Sequence, residues 1–82
     1  MKKLLKFSTP TCGYCKVISP DINKYANEQG FEVEEVDASA NTMKRDQYEV
    51  FGVPTIVIVD ELGRMLEKVT GAPQIMEFMY LD

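Results

Sequence analysis

Leu4-Leu5-Lys6-Phe7, Ser8-Thr9-Pro10-Thr11 and Cys12-Gly13-Tyr14-Cys15-Lys16 follow one another directly, and this stretch decides the fold. The first four residues read as a strand. Pro10 and its polar neighbours end it in a loop. From about Cys12 the pattern turns helical and holds to Gln29, where Gly30 supplies a left-handed stop. Ile18, Ile22, Tyr25 and Ala26 recur at helical spacing and form the inner face. Pro20 lies within this helix and is expected to kink it. A strand leading into a helix through a short loop is the opening of a βαβ unit.

The rest of the chain completes that unit and adds a hairpin. Phe31 to Asp37 alternates well enough for a second strand. Asn41 can cap a short helix that runs to about Tyr48–Phe51, with Gly52 as its end. Thr55-Ile56-Val57-Ile58-Val59 is an unbroken β-branched run, which implies a strand buried on both faces. Asp60-Glu61-Leu62-Gly63 is turn chemistry, and Met65 to Val69 returns as the second arm. Thr70-Gly71-Ala72 is a loop, and Pro73 opens a last helix whose buried stripe is Ile75, Phe78 and Met79. Met43, Met65, Met76 and Met79 are assigned to filling core gaps. The element order is βαβαββα in an α/β chain, expected as one domain over residues 1–82.

Composition narrows the chemistry. The 82 residues carry nine Lys/Arg against thirteen Asp/Glu, a net charge of −4, which disfavours nucleic acid as a partner. No apolar run is long enough for a transmembrane helix. Met1-Lys2-Lys3-Leu4-Leu5 resembles a leader only briefly, since Lys6 interrupts it and no small-residue cleavage site follows. The expectation is a soluble, cytoplasmic chain. There is no His, so no His-based triad, His metal ligand or histidine switch is available.

The two cysteines, Cys12 and Cys15, carry the candidate chemistry. A helix start gathers unpaired N–H groups and the positive end of the helix dipole. That field favours a thiolate, the attacking species in disulfide exchange. Three residues is nearly one helical turn, so Cys15 lies beside Cys12 and can resolve a mixed disulfide. Other readings compete. Cys-x-x-Cys is also half of a zinc site, but four ligands would then require a second chain or carboxylates. A purely structural disulfide closes too small a loop to stabilise much. Two incidental buried thiols are the remaining option.

Cys12-Gly13-Tyr14-Cys15-Lys16 through Ser19-Pro20 resembles the active-site helix of the thioredoxin–glutaredoxin superfamily, with a proline five residues after the second cysteine. Gly52-Val53-Pro54-Thr55 is similar to the segment whose proline is cis in that family. The hairpin at Asp60–Gly63 and the loop at Val69–Ala72 resemble its later elements, and the length is nearest to the small, glutaredoxin-sized thioredoxins. The resemblance implies a minimal thioredoxin fold with a four-stranded mixed sheet flanked by helices. It implies Cys12 as nucleophile and Cys15 as resolving thiol. It also implies a cis Pro54, with Val53 offering its backbone to an extended substrate, and Gly71 and Ala72 lining the same groove. Tyr14 is expected to cover Cys15 or to meet a partner's surface.

Several departures qualify the match. Thr11 stands where thioredoxins usually have Trp, and Tyr14 where they have Pro. Lys6 stands where they place a buried acid that can take the resolving thiol's proton. Lys6 is read here as a snorkelling surface lysine. The implied activity is reduction of protein disulfides, with no metal or organic cofactor because the redox-active Cys12–Cys15 pair carries the electrons. A thioredoxin-reductase-like flavoprotein is the expected donor for a monomeric enzyme. A glutathione-dependent glutaredoxin is the first alternative, and a non-catalytic partner-binding module is the second.

Overall fold

The computed structural model describes residues 1–80. The element order is β1 (Lys3–Ser8), α1 (Gly13–Gln29), β2 (Glu32–Asp37), α2 (Thr42–Gln47), β3 (Thr55–Val59), β4 (Met65–Thr70) and α3 (Ala72–Tyr80). The four strands form one mixed sheet in the order β2-β1-β3-β4. β1 runs parallel to β2, with Lys6 opposite Glu35, and antiparallel to β3, with Lys6 opposite Ile56. β3 and β4 are the antiparallel arms of the hairpin. Element order and sheet order are those that the sequence resemblance implies. The expectation of one domain over 1–82 includes two residues, 81 and 82, that lie outside the described residues.

Apolar side chains alternate between the two faces of the sheet, as the pleat requires. Leu4, Ile56 and Ile58 pack with Ile18, Ile22 and Ala26 of α1 and Ile75 and Met79 of α3. Leu5, Phe7, Val57 and Val59 pack on the opposite face with Val36, Ala38, Tyr48 and Val50. Tyr25 is half-buried and sets its ring edge-on to Phe31 and Phe78. Phe78 is likewise half-buried rather than part of the sealed core.

Most boundaries agree with the sequence reading to within a residue or two. Gly30 ends α1 in the left-handed region at φ 73°, and its N–H donates to carbonyls of the last turn. α1 runs as one helix through Pro20. Two readings need correction. α2 stops at Gln47, not near Phe51, and Gly52 does not end it. Glu49 takes the left-handed position at φ 53°, and the Val50 N–H reaches back to Arg45 C=O at 2.9 Å. A six-to-one bond of this kind is the signature of a Schellman stop, here closed by a residue with a Cβ. Met43 and Met65 fill no core gap; both side chains are exposed, while Met79 is buried.

Candidate active site

The site begins with the way α1 starts. Cys12 is the N-cap, in extended conformation, and its Sγ accepts the N–H of Cys15 at 3.1 Å. The Cys12 N–H donates to Thr9 C=O at 3.2 Å, which closes the loop after β1. A sulfur at the N-cap faces the unpaired amides of the first turn. No acidic residue lies in that turn to offset their positive field. Cys12 and Cys15 are joined in a disulfide, with their Cα atoms 5.3 Å apart. Cys12 is partly exposed and Cys15 is buried. The pair is therefore asymmetric: one sulfur is reachable from outside and the other faces inward.

Pro54 completes the inner wall. The Val53–Pro54 bond is cis, and Pro54 is buried. Pro54 and Cys15 both line a cavity of about 380 Å³ at the end of β1. Among the described residues, no backbone hydrogen bond involves Val53, whose N–H and C=O precede the β3 ladder. Three contacts fix this loop. The Thr55 hydroxyl donates to Gly52 C=O at 2.6 Å and meets the Thr70 hydroxyl at 3.0 Å. The Gly71 N–H donates to Pro54 C=O at 2.8 Å, which brings the turn into α3 against the cis bond. Ala72 follows as the first residue of α3. Thr55 and Thr70 have no signal as site residues in the sequence; their role depends on which strands pair.

Tyr14 is expected to cover Cys15 or to meet a partner's surface. It is 74% exposed, which leaves most of its ring available at the surface. Val17 and Phe51 are also strongly exposed.

Lys6 needs the largest correction. It is no surface residue: its side chain is only 5% exposed. Three acceptors surround its Nζ, namely Ser19 Oγ at 2.6 Å, Asn23 Oδ1 at 3.0 Å and Glu35 Oε1 at 3.1 Å. These match the three N–H donors of an ammonium group. The reason lies in topology. β1 is an inner strand, and Lys6 points to the same face as Leu4, which α1 covers. Lys6 and Glu35 also line the cavity that Cys15 faces.

The Thioredoxin family profile matches residues 1–80, and the chain belongs to that family. Human protein disulfide-isomerase A4 is 40% identical over 57 residues, which is 65% of this chain and 9% of that protein. The Arabidopsis thaliana protein disulfide isomerase-like 1-1 is 30% identical, over 77% of this chain and 13% of its own length. This chain thus spans only about a tenth of the curated relatives it matches. Among solved structures, thioredoxin 1 from Thermosipho africanus superposes with a TM-score of 0.80 at 27% identity, covering 94% of this chain and 85% of that one. Trypanosoma brucei brucei thioredoxin gives 0.78 at 31% identity, covering 93% and 67%.

Proposed function

We propose that this thioredoxin-family chain reduces protein disulfides through a Cys12/Cys15 dithiol–disulfide cycle. The observation that carries the reading is the asymmetric pair at the start of α1, with the reachable sulfur at the N-cap and the buried one lining a cavity with Pro54. In the reduced protein the Cys12 thiolate attacks a substrate disulfide. One S–S bond breaks as another forms, and the first substrate sulfur leaves as a thiolate that takes up a proton. Cys15, once deprotonated, then attacks Cys12 Sγ and expels the second substrate sulfur. Two electrons pass from the dithiol to the substrate, and the disulfide seen here is the product. The backbone of Val53, with Gly71 and Ala72 beside it, is suited to hold an extended substrate segment by main-chain hydrogen bonds. The exposed ring of Tyr14 supplies apolar contact at the rim.

The donor in this reading is a thioredoxin-reductase-like flavoprotein. Ser8, Thr9, Pro10 and Thr11 place no charge before Cys12, and α3 opens with Ala72-Pro73-Gln74, where proline removes one N–H. A charged tripeptide finds few paired contacts in such a frame. A glutathione-dependent reading has Tyr14 in its favour, a residue common between the cysteines of glutaredoxins, and one structural observation. Arg45 borders a cleft that also contains Thr9 and Val53, and a guanidinium there is able to meet a carboxylate. We place the cycle in the cytoplasm, where thiols are kept reduced, with the chain acting as a monomer.

The test supplies NADPH with either a thioredoxin reductase or the glutathione–glutathione reductase pair, and follows NADPH loss with insulin as acceptor. The expected result is turnover that requires Cys12 and runs faster with the flavoprotein. Equal or faster turnover with glutathione moves the assignment to glutaredoxin. Binding to partners without any Cys12-dependent turnover leaves a non-catalytic module.

A further inference from the structure

The cycle leaves one step without a visible agent. Cys15 must lose its proton before it can attack, and its sulfur is buried, which disfavours the thiolate. The charged groups around the cavity it faces come from three elements: Lys6 on β1, Lys16 on α1, and Glu35 and Asp37 on β2. The formal charges cancel, but their surroundings differ. Lys16 and Asp37 are exposed, and the Glu35 side chain is 73% exposed, so water screens all three. Lys6 alone is enclosed, with its side chain 5% exposed. Its three acceptors hold the ammonium in place, and two of them, Ser19 and Asn23, are neutral side chains on the helix that carries Cys15. The most enclosed charge among the groups lining the cavity is therefore the Lys6 ammonium, ion-paired on its solvent side with Glu35 at 3.1 Å.

We infer that Lys6 is a positioning residue whose enclosed ammonium group stabilises the Cys15 thiolate across the shared cavity and so speeds resolution of the mixed disulfide. It does so as a field, with no bond to sulfur and no proton transfer of its own. Glu35 anchors the lysine from the solvent side and its own charge slightly opposes the effect. This inference rests on the dithiol cycle proposed above, and it differs from a mechanism in which a carboxylate takes the proton. The two assign opposite signs to Glu35.

The test uses the reduced full chain and needs no turnover. Alkylation resolved by mass follows the pH at which Cys15 is half-labelled, and rapid quenching follows decay of a mixed disulfide between Cys12 and a small aromatic thiol. Lys6→Met, which nearly conserves volume, is expected to raise the Cys15 half-labelling pH by about one unit, equivalent to a tenfold loss of thiolate. Resolution at pH 7 then slows about threefold, since the tenfold loss of thiolate is partly offset by the greater nucleophilicity of the more basic thiolate. Lys6→Arg keeps the charge and restores both. Glu35→Gln lowers the half-labelling pH, because it removes the negative charge paired with the ammonium. An unchanged Cys15 titration in folded Lys6→Met overturns the inference. So does slowed resolution in Glu35→Gln, which identifies the carboxylate as base. If Lys6→Met does not fold, the sign of the Glu35→Gln effect still decides. Failure of the proposed function is seen separately, as wild-type protein that does not reduce insulin while Cys15 titrates as expected.

Discussion

The Gly71 N–H donates to the carbonyl of Pro54 at 2.8 Å, so the turn from β4 into α3 is bonded to the peptide that directly follows the cis bond. The bond links two segments that lie 17 positions apart in sequence and ties the turn to the residue that lines a cavity with Cys15. Gly71 reaches this geometry at φ 97°, a region that side chains with a Cβ rarely adopt. A Cβ there would also meet Gln74 Oε1 at 2.3 Å, although that long side chain can move.

Gly71→Ala is therefore expected to destabilise the protein by about 1–2 kcal/mol, mostly from the backbone and little from the contact. The measurement is the urea midpoint. Because the Pro54 loop shifts with the turn, insulin reduction should fall more than stability does. A variant as stable as wild type would show that the turn relaxes freely.

Glu49 presents the opposite case, a left-handed residue that is not glycine. Glu49→Gly is expected to stabilise the chain by about 0.5–1 kcal/mol, the relief of Cβ strain less glycine's greater unfolded freedom. Its carbonyl keeps the Lys68 ammonium at 3.0 Å in either variant. Chemical denaturation of the pair reads the difference, and a loss of stability would count against the strain.

These two positions also show what the sequence discloses. Gly30 and Gly71 are visible because glycine marks a backbone need directly. The α2 stop is hidden because Glu49 meets the same need without the usual residue, so the nearest glycine, Gly52, misleads. The strands and the Cys12–Cys15 helix start are legible because their signals are local. Burial of Lys6 is not legible, since it follows from β1 lying between β2 and β3 and beneath α1. Hydrophobic periodicity reveals which face a residue shares, not how fully that face is covered. Thr55 is hidden for a related reason: its hydroxyl partner, Thr70, arrives only when β4 pairs with β3.

The Glu34 carboxyl is held below its ordinary range by the Lys44 ammonium, with Lys3 adding and partial burial opposing. A depressed folded pKa stabilises the native state above the unfolded pKa, and that stability is lost as pH falls through the folded value. The urea midpoint is thus expected to decline as pH drops from about 5 towards about 3, and Glu34→Gln should flatten part of that decline. Because the group is partly exposed, the contribution at neutral pH is expected to be under about 1 kcal/mol. Identical pH profiles for the two proteins would remove Glu34 from the account.

The asymmetry of the cysteines gives the most direct test. Cys12 Sγ sits at the N-cap and is reachable, whereas Cys15 is buried behind it. Cys12→Ser is expected to abolish insulin reduction, because a hydroxyl at that cap stays protonated and does not attack sulfur at neutral pH. It should fold normally, since serine is itself a favourable N-cap and can accept the Cys15 N–H that the sulfur now accepts. Cys15→Ser keeps the nucleophile but removes the resolving thiol. It is expected to accumulate mixed disulfides with substrate, visible as covalent adducts that a reductant releases. Alkylation of reduced wild type at mildly acidic pH should label Cys12 first, because the helix start favours its thiolate and burial hinders Cys15. Equal labelling, or labelling of Cys15 first, would reverse the roles, and adducts would then form on Cys12→Ser instead.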